Sequence, residues 1–224
     1  MQGPVHLMAS WYLAEAAEVA TPRDRRVVAW AGFAPDFDVV AYLAAILWYG
    51  FDKDRAFENV WSVIHHKYTH GILFVAVIAA ASFALASGAR GNKARVAGLA
   101  ADAAGLHCFL DVAAGGPTWP IYPYWPLDPT GFTAAWSWTI GEWPNLVVLF
   151  ACLAGVLLYG RIAGRSPLEC FGDRADRWLV RTVRQEAPPG GATASSNRTR
   201  IAIWVGLAIV VAAVLYPLGF NPFR

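Results

Sequence analysis

Apolar residues along this chain gather in long runs, separated by short polar stretches, and not in narrow amphipathic stripes. A helix crossing the hydrocarbon core needs about 20 mostly apolar residues. Four segments meet that requirement: roughly 71–88, 96–114, 144–160 and 201–220. A fifth, 27–50, is apolar at both ends but interrupted by "APDFD", which sets Pro35, Asp36 and Asp38 near mid-length. Broken spans persist where they line protein or a wet cavity. A sixth, 5–19, is long enough for a marginal span, but Glu15 and Glu18 suit an interfacial helix equally well. The pattern predicts an all-α, polytopic α-helical membrane protein with five or six membrane helices, one broken at a Pro-Asp-x-Asp motif.

The polar stretches differ sharply in basic residues. Residues 161–200 hold eight arginines, the loop 88–95 holds Arg90, Lys93 and Arg95, and "TPRDRR" adds three more. Residues 112–143 contain no lysine or arginine. The positive-inside rule then places the three basic stretches in the cytoplasm and 112–143 outside, together with 51–70. Within the long basic loop, Phe171, Ala175, Trp178, Leu179 and Val183 recur at helical spacing with arginines between them, which predicts an interfacial helix. "APPGGATASSN" after it has the composition of a linker. Three parts follow: a membrane-embedded domain over 1–160 that carries the candidate site, a cytoplasmic arginine-rich helix and linker over 161–200, and a C-terminal membrane helix over 201–224.

Composition agrees with a lipid bilayer as the chain's surroundings. Hydrophobic residues make up 57% and charged ones 15%, and mean hydropathy is +0.39. A net charge of +2, with arginines clustered beside apolar runs, excludes nucleic acid as the expected partner. Cys108, Cys152 and Cys170 have no paired or zinc-knuckle spacing and read as buried thiols. "MQGPVHLMAS" lacks a basic n-region, so the first helix is expected to remain in the mature protein. In "PTWPIYPYWPLDP" prolines recur every third residue, the repeat of a polyproline II helix, which would make a rigid aromatic ledge; the favoured reading is a plain proline-rich connector whose tryptophans, with Trp136, Trp138 and Trp143, anchor the protein at the headgroup level.

The chemistry-bearing residues fall inside or beside the apolar runs, where ionisable groups are costly and mark function by default. They are His6; Asp36 and Asp38; His65, His66 and His70 in "IHHKYTHGILFV"; and His107 and Asp111 in "HCFLD". His107 and Asp111 are four apart and share one helix face. Asp36 and Asp38 would point to the same side on an extended backbone. His65 and His70 are about 140° apart on an ideal helix, so His66 and His70 have the better helical spacing. If 71–88 and 96–114 are antiparallel neighbours, His70 and Asp111 meet at one level, with His107 one turn deeper and His6 and "PDFD" within reach. Asp102 also lies in an apolar span and is expected to face the bundle interior.

Taken in order, "GPVH", "GFAPDFD", "HHKYTHGILF" and "LHCFLDVAAGGPTWPIYPYWPLD" resemble the motifs of the YdjM-like family of membrane-bound proteins described as metal-dependent hydrolases. The match covers roughly residues 3–130 and leaves the last two helices without a motif. The resemblance implies His6, Asp36, Asp38, His65, His70, His107 and Asp111 as metal ligands, with Thr69 supporting them, and it prefers His65 to His66. Where the family has Arg-Gly between its histidines, this chain has His66 and Lys67, which are then expected to meet substrate without the bidentate fork of an arginine. The hydrolase label itself rests on resemblance to zinc-dependent phospholipase C-like sites.

The expected function is a membrane-bound metal-dependent hydrolase of a bacterial-type inner membrane, with its site toward the outer face. It would act on a phosphoester or lipid-like substrate, such as a phospholipid, near the bilayer surface. The ligand number suits one or two divalent ions, zinc by donor type, with Asp38 as bridging carboxylate or base. Two alternatives use the same ligands: a metal-ion carrier or sensor, and a structural protein stapled by its metal.

Overall fold

The computed structural model describes residues 1–88 and 92–186. The predicted C-terminal membrane helix, the linker and Arg90 lie outside the described residues. The chain forms two compact units, Met1–Leu153 and Ala154–Arg224, whose boundary falls inside one long helix.

The first unit is helical throughout. Helix α1 (Gly3–Ala16) carries Pro4 in its first turn, a residue whose missing N–H costs nothing there. Helix α2 (Pro22–Phe33) starts on Pro22 with Thr21 accepting from the Asp24 N–H at 3.1 Å. A 3₁₀ turn (Ala34–Asp38) and helix α3 (Val39–Trp48) continue α2 without a gap. Helix α4 (Lys53–Ala56), a π-helical turn (Phe57–Trp61) and helix α5 (Ser62–Ile64) return the chain toward the bundle. Helices α6 (Ile72–Leu85) and α7 (Lys93–Ala114) complete the packed group with α1 and α2, and α8 (Trp143–Ile162) follows the long loop.

Among the described residues, three helices are long and apolar enough to cross a membrane: the continuous Pro22–Trp48, Lys93–Ala114 and Trp143–Ile162. Helix α6 is apolar but has 14 residues, as does α1. The expected 18-residue run at 71–88 is thus shorter as a helix, because Gly71 is its N-cap and the α-helix stops at Leu85.

Small side chains let the bundle close. Ala100, Ala103 and Ala104 of α7 and Val28 and Ala29 of α2 are fully buried. Gly32 is obligatory: a Cβ there would stand 1.8 Å from Ser10 Oγ on α1 and 2.6 Å from Ser10 Cβ. The two glutamates that made α1 ambiguous behave differently, since Glu15 is buried and its Oε1 meets Arg25 Nε at 3.0 Å. At the same end Asp24 accepts from both Ser87 N and Ser87 Oγ at 2.7 Å, tying α2 to the exit of α6. Asp102 does not face the interior. It is exposed on α7, one turn from Gly98 and Gly105, neither of which has an atom near its absent Cβ.

Of the two readings of the proline repeat, the loop 115–142 does not form the polyproline ledge. Residues 124–128 turn back on themselves, with Leu127 N and Asp128 N both donating to Tyr124 O, and Ile121 pairs with Phe132 in an isolated antiparallel bridge. Backbone hydrogen bonding to the rest of the fold outweighs the proline repeat.

In the second unit, α9 (Asp173–Arg184) forms the predicted helix after a 3₁₀ turn (Pro167–Phe171). Ser166 N and Oγ both donate to Asp176 Oδ1 at 2.7 Å, and Arg184 Nε donates to Arg161 O at 3.0 Å. Leu179 and Val180 are its buried apolar residues, while Phe171 and Trp178 are exposed.

Candidate metal centre

Four elements bring the polar residues to one level of the bundle. α1 supplies His6, the 3₁₀ turn supplies Asp36, the loop before α6 supplies His65, His66 and His70, and α7 supplies His107 and Asp111. His6, His70, His107 and Asp111 are each exposed by 2% or less, so this polar group is sealed within protein. Gly3 of "GPVH" faces the Phe33 ring, at 2.9 Å from its absent Cβ, and Asp36 Oδ2 at 3.2 Å.

At the centre, Asp111 Oδ2 lies 3.0 Å from His107 Nε2 and 3.3 Å from His70 Nε2, and these two nitrogens are 3.1 Å apart. Asp36 Oδ1 is 3.7 Å from His107 Nε2. Asp36, His70, His107 and Asp111 offer four ligand atoms all within 4.8 Å of one another, and His65, His66 and His70 form a second such group sharing His70.

The partners on the far side of each ring fix its tautomer. His107 Nδ1 donates to Gly32 O at 2.7 Å. Thr69 Oγ1 donates to Asp38 Oδ2 at 2.9 Å and therefore accepts from His70 Nδ1 at 3.0 Å. His65 Nδ1 donates to Asp38 at 2.9 and 3.1 Å, and His66 Nδ1 to Pro120 O at 3.3 Å. A neutral imidazole has one N–H, so all four rings present a bare Nε2. Burial pushes His66 down to about 2, helped by the neighbouring His70 and His65, and burial likewise pushes His70 down to about 4. Both are thus held in the neutral form that ligates.

Bare nitrogens facing a carboxylate at hydrogen-bond distance need a positive charge between them, a proton or a metal ion. The Met1 amino group already meets Asp111 Oδ1. His6 Nε2 is 3.1 Å from the same oxygen but off the hydrogen-bond direction, and both of its ring nitrogens are buried without a hydrogen bond. His6 also stacks on His107 with ring centroids 3.7 Å apart. Ligands about 2 Å from a tetrahedral zinc are roughly 3.3 Å from each other. The separations of 3.0, 3.1 and 3.3 Å among His70, His107 and Asp111 match that edge, so the donor set fits such an ion.

The candidates do not all take the places expected from sequence. Asp36 joins the cluster, but Asp38 does not: its oxygens orient His65 and Thr69. The backbone there is 3₁₀ and not extended, so residues two apart diverge by about 240°. His66 is buried inside the cluster, with Nε2 3.7 Å from Asp111 Oδ2. Lys67 Nζ lies over the rings of Tyr122 and Trp125 at 5.1 and 5.0 Å. Trp61 stacks on His65 at 4.0 Å and 18°.

The long loop holds the histidines from above. Tyr122 N donates to His66 O at 3.0 Å, and Pro123 O caps α6 by accepting from Ile72 N at 2.8 Å. Gly71 is needed where it stands, because a Cβ would lie 3.2 Å from Pro123 O and 3.3 Å from Tyr122 O. Gly32, Pro120 and the Met1 amino group were missed from sequence, since backbone groups leave no side-chain signal.

This array of motif residues runs through a chain that a family model, YdjM inner membrane protein, matches over residues 1–220. The chain belongs to the YdjM inner membrane protein family. The YdjM match extends beyond the motif-bearing part, taking in α8, α9 and most of the residues that follow. Membership makes the bilayer the setting of its apolar helices. No curated protein and no solved structure matched the chain.

Proposed function

We propose that this YdjM protein is a metal-dependent hydrolase that acts on a phosphoester of a lipid-like substrate. One observation carries the proposal: His70, His107 and Asp111 converge at tetrahedral ligand spacing, with both imidazoles turned to present Nε2. His65 and His66 extend the group through His70 and would offer ligands to a second ion. Zinc bound there would polarise the phosphoester and supply hydroxide near neutral pH. The chain's own residues do the rest. Gly32 O and Thr69 hold the two central rings in register, and Asp38 holds His65. Asp36 carries the cluster's most accessible carboxylate, 17% exposed against 3% for Asp111, which supports it as the group that would take a proton from attacking water. The basic residues at the Arg23, Arg25 and Arg95 end set that end toward the cytoplasm and the cluster toward the outer face.

The test is zinc content together with turnover. Detergent-purified protein should carry stoichiometric zinc and hydrolyse a phospholipid in mixed micelles, and Asp111→Ala and His70→Ala should lose both. Wild-type protein free of transition metal, or zinc-loaded protein inert on phospholipid and chromogenic phosphodiesters, would overturn the proposal.

A further inference from the structure

Three helices give the same depth for the cluster. Asp36 is the fifteenth of the 27 residues in Pro22–Trp48, about 21 Å from Pro22 at 1.5 Å per residue. His107 is the fifteenth residue of Lys93–Ala114, again about 21 Å from the basic end. α6 runs nearly as far, from Ile72 beside His70 to Leu85, whose carbonyl accepts from Arg23 Nε at 3.0 Å. The hydrocarbon layer is about 30 Å thick, and α3 continues past Asp36 with Val40, Leu43, Leu47 and Trp48 exposed by 54–85% before the first charges, Asp52 and Lys53. Apolar side chains so exposed on a spanning helix face acyl chains. The cluster therefore lies inside the hydrocarbon layer, below its outer boundary.

On the outer side the long loop is bonded across the centre. His66 is bonded on both its carbonyl and its Nδ1 to the loop at Tyr122 and Pro120, and Trp138 N donates to Ala113 O at 3.1 Å over the end of α7. The lateral side differs. Asp36 is the cluster's only central ligand with appreciable exposure, and it stands on a helix whose Trp30, Phe33 and Phe37 form one continuous aromatic ridge with centroids 5.4 to 6.2 Å apart. Phe37, adjacent to Asp36, is 50% exposed.

We infer that the centre opens sideways into the bilayer beside Asp36, along the Trp30, Phe33 and Phe37 ridge, and takes a membrane-resident amphiphile carrying an anionic phosphoester. The aromatic ridge holds the acyl portion while the phosphoester reaches the cluster, which no soluble diester enters from the outer water. The substrate class rests on the hydrolase proposal; the lateral opening does not.

The experiment separates the two. Phe37→Cys and, independently, Val40→Cys are placed in a chain whose native cysteines are replaced, labelled with an environment-sensitive fluorophore and reconstituted in phosphatidylethanolamine and phosphatidylglycerol vesicles. Zinc content of each labelled protein checks that the centre is intact. Lipids brominated along their chains should quench both labels more strongly than aqueous iodide. Stronger quenching by iodide would overturn the lateral opening, whether or not the protein hydrolyses anything. For unlabelled wild type, a long-chain phospholipid should be turned over in preference to a short-chain soluble diester with the same headgroup. Equal turnover would overturn the amphiphile assignment, and no turnover of either would overturn the hydrolase proposal while leaving the quenching result to decide the opening.

Discussion

His70 and His107 face each other Nε2 to Nε2 at 3.1 Å, each with its Nδ1 proton already given to a fixed acceptor. With one proton on each ring they cannot hydrogen-bond to one another, and Asp111 adds negative charge at the same point. The arrangement is stable only around a positive charge, which is why removing its supports should be felt first as lost metal affinity.

Thr69→Val keeps the shape of the side chain but removes the acceptor for His70 Nδ1 and the donor to Asp38. Zinc affinity should fall about 10- to 100-fold, and Thr69→Ser should restore it. A competition titration against a chelating dye reads both.

Asp38→Asn distinguishes an orienting carboxylate from a ligand. Since Asp38 touches His65 and Thr69 but lies outside both ligand groups, the substitution should weaken zinc by about 10- to 100-fold, and leave the stoichiometry unchanged. Asp111→Asn, which alters a ligand, should abolish stoichiometric binding. Equal loss in the two variants would return Asp38 to the ligand set.

Gly32→Ala forces a methyl group onto Ser10. The resulting separation of α1 from α2 should cost about 1–3 kcal/mol, and should loosen His107 through Gly32 O. Ser10→Gly in the same chain should recover part of the stability. Thermal unfolding in detergent, followed by zinc titration, measures both effects.

The metal-free protein should lose stability on acidification. Buried His66 and His70 titrate near 2 and 4 when folded but near 6.5 when unfolded, so below 6.5 the unfolded chain binds protons first. Stability is therefore full above about pH 6.5 and declines as pH falls toward 4, through the folded value for His70 and on toward that of His66. His66→Gln should flatten the slope measured between pH 7 and 5.

Lys67→Ala should release the loop. Its ammonium lies over two rings, an interaction of about 0.5–2 kcal/mol, so amide exchange at Tyr122 and Ile72 should accelerate. Unchanged exchange with a raised KM would instead assign Lys67 to phosphate.

Residue type and order made much of the centre legible. Apolar run lengths gave the helical class and, among the described residues, three helices of spanning length, and the i, i+4 pairing of His107 with Asp111 follows from helix geometry alone. Asp38 was misplaced because a 3₁₀ turn rotates residues two apart to different sides, and no hydropathy pattern distinguishes that turn from an extended break. The family resemblance preferred His65 to His66, against the helical spacing. A positive φ of 65° at His66 brings both rings in, stacking it on His65 at 4.3 Å. The proline repeat left a rigid ledge and a plain connector both open, and the partners of the Pro120 and Pro123 carbonyls in the histidine loop are visible only in three dimensions.

The π-helical turn Phe57–Trp61 ends with an indole lying flat on His65, whose other nitrogen is free for a ligand. Trp61 is thus a native optical gauge: an ion held at the free nitrogen of His65 would change the ring beneath the indole and with it the indole's emission, so the filling of this centre can be followed by light without adding a probe.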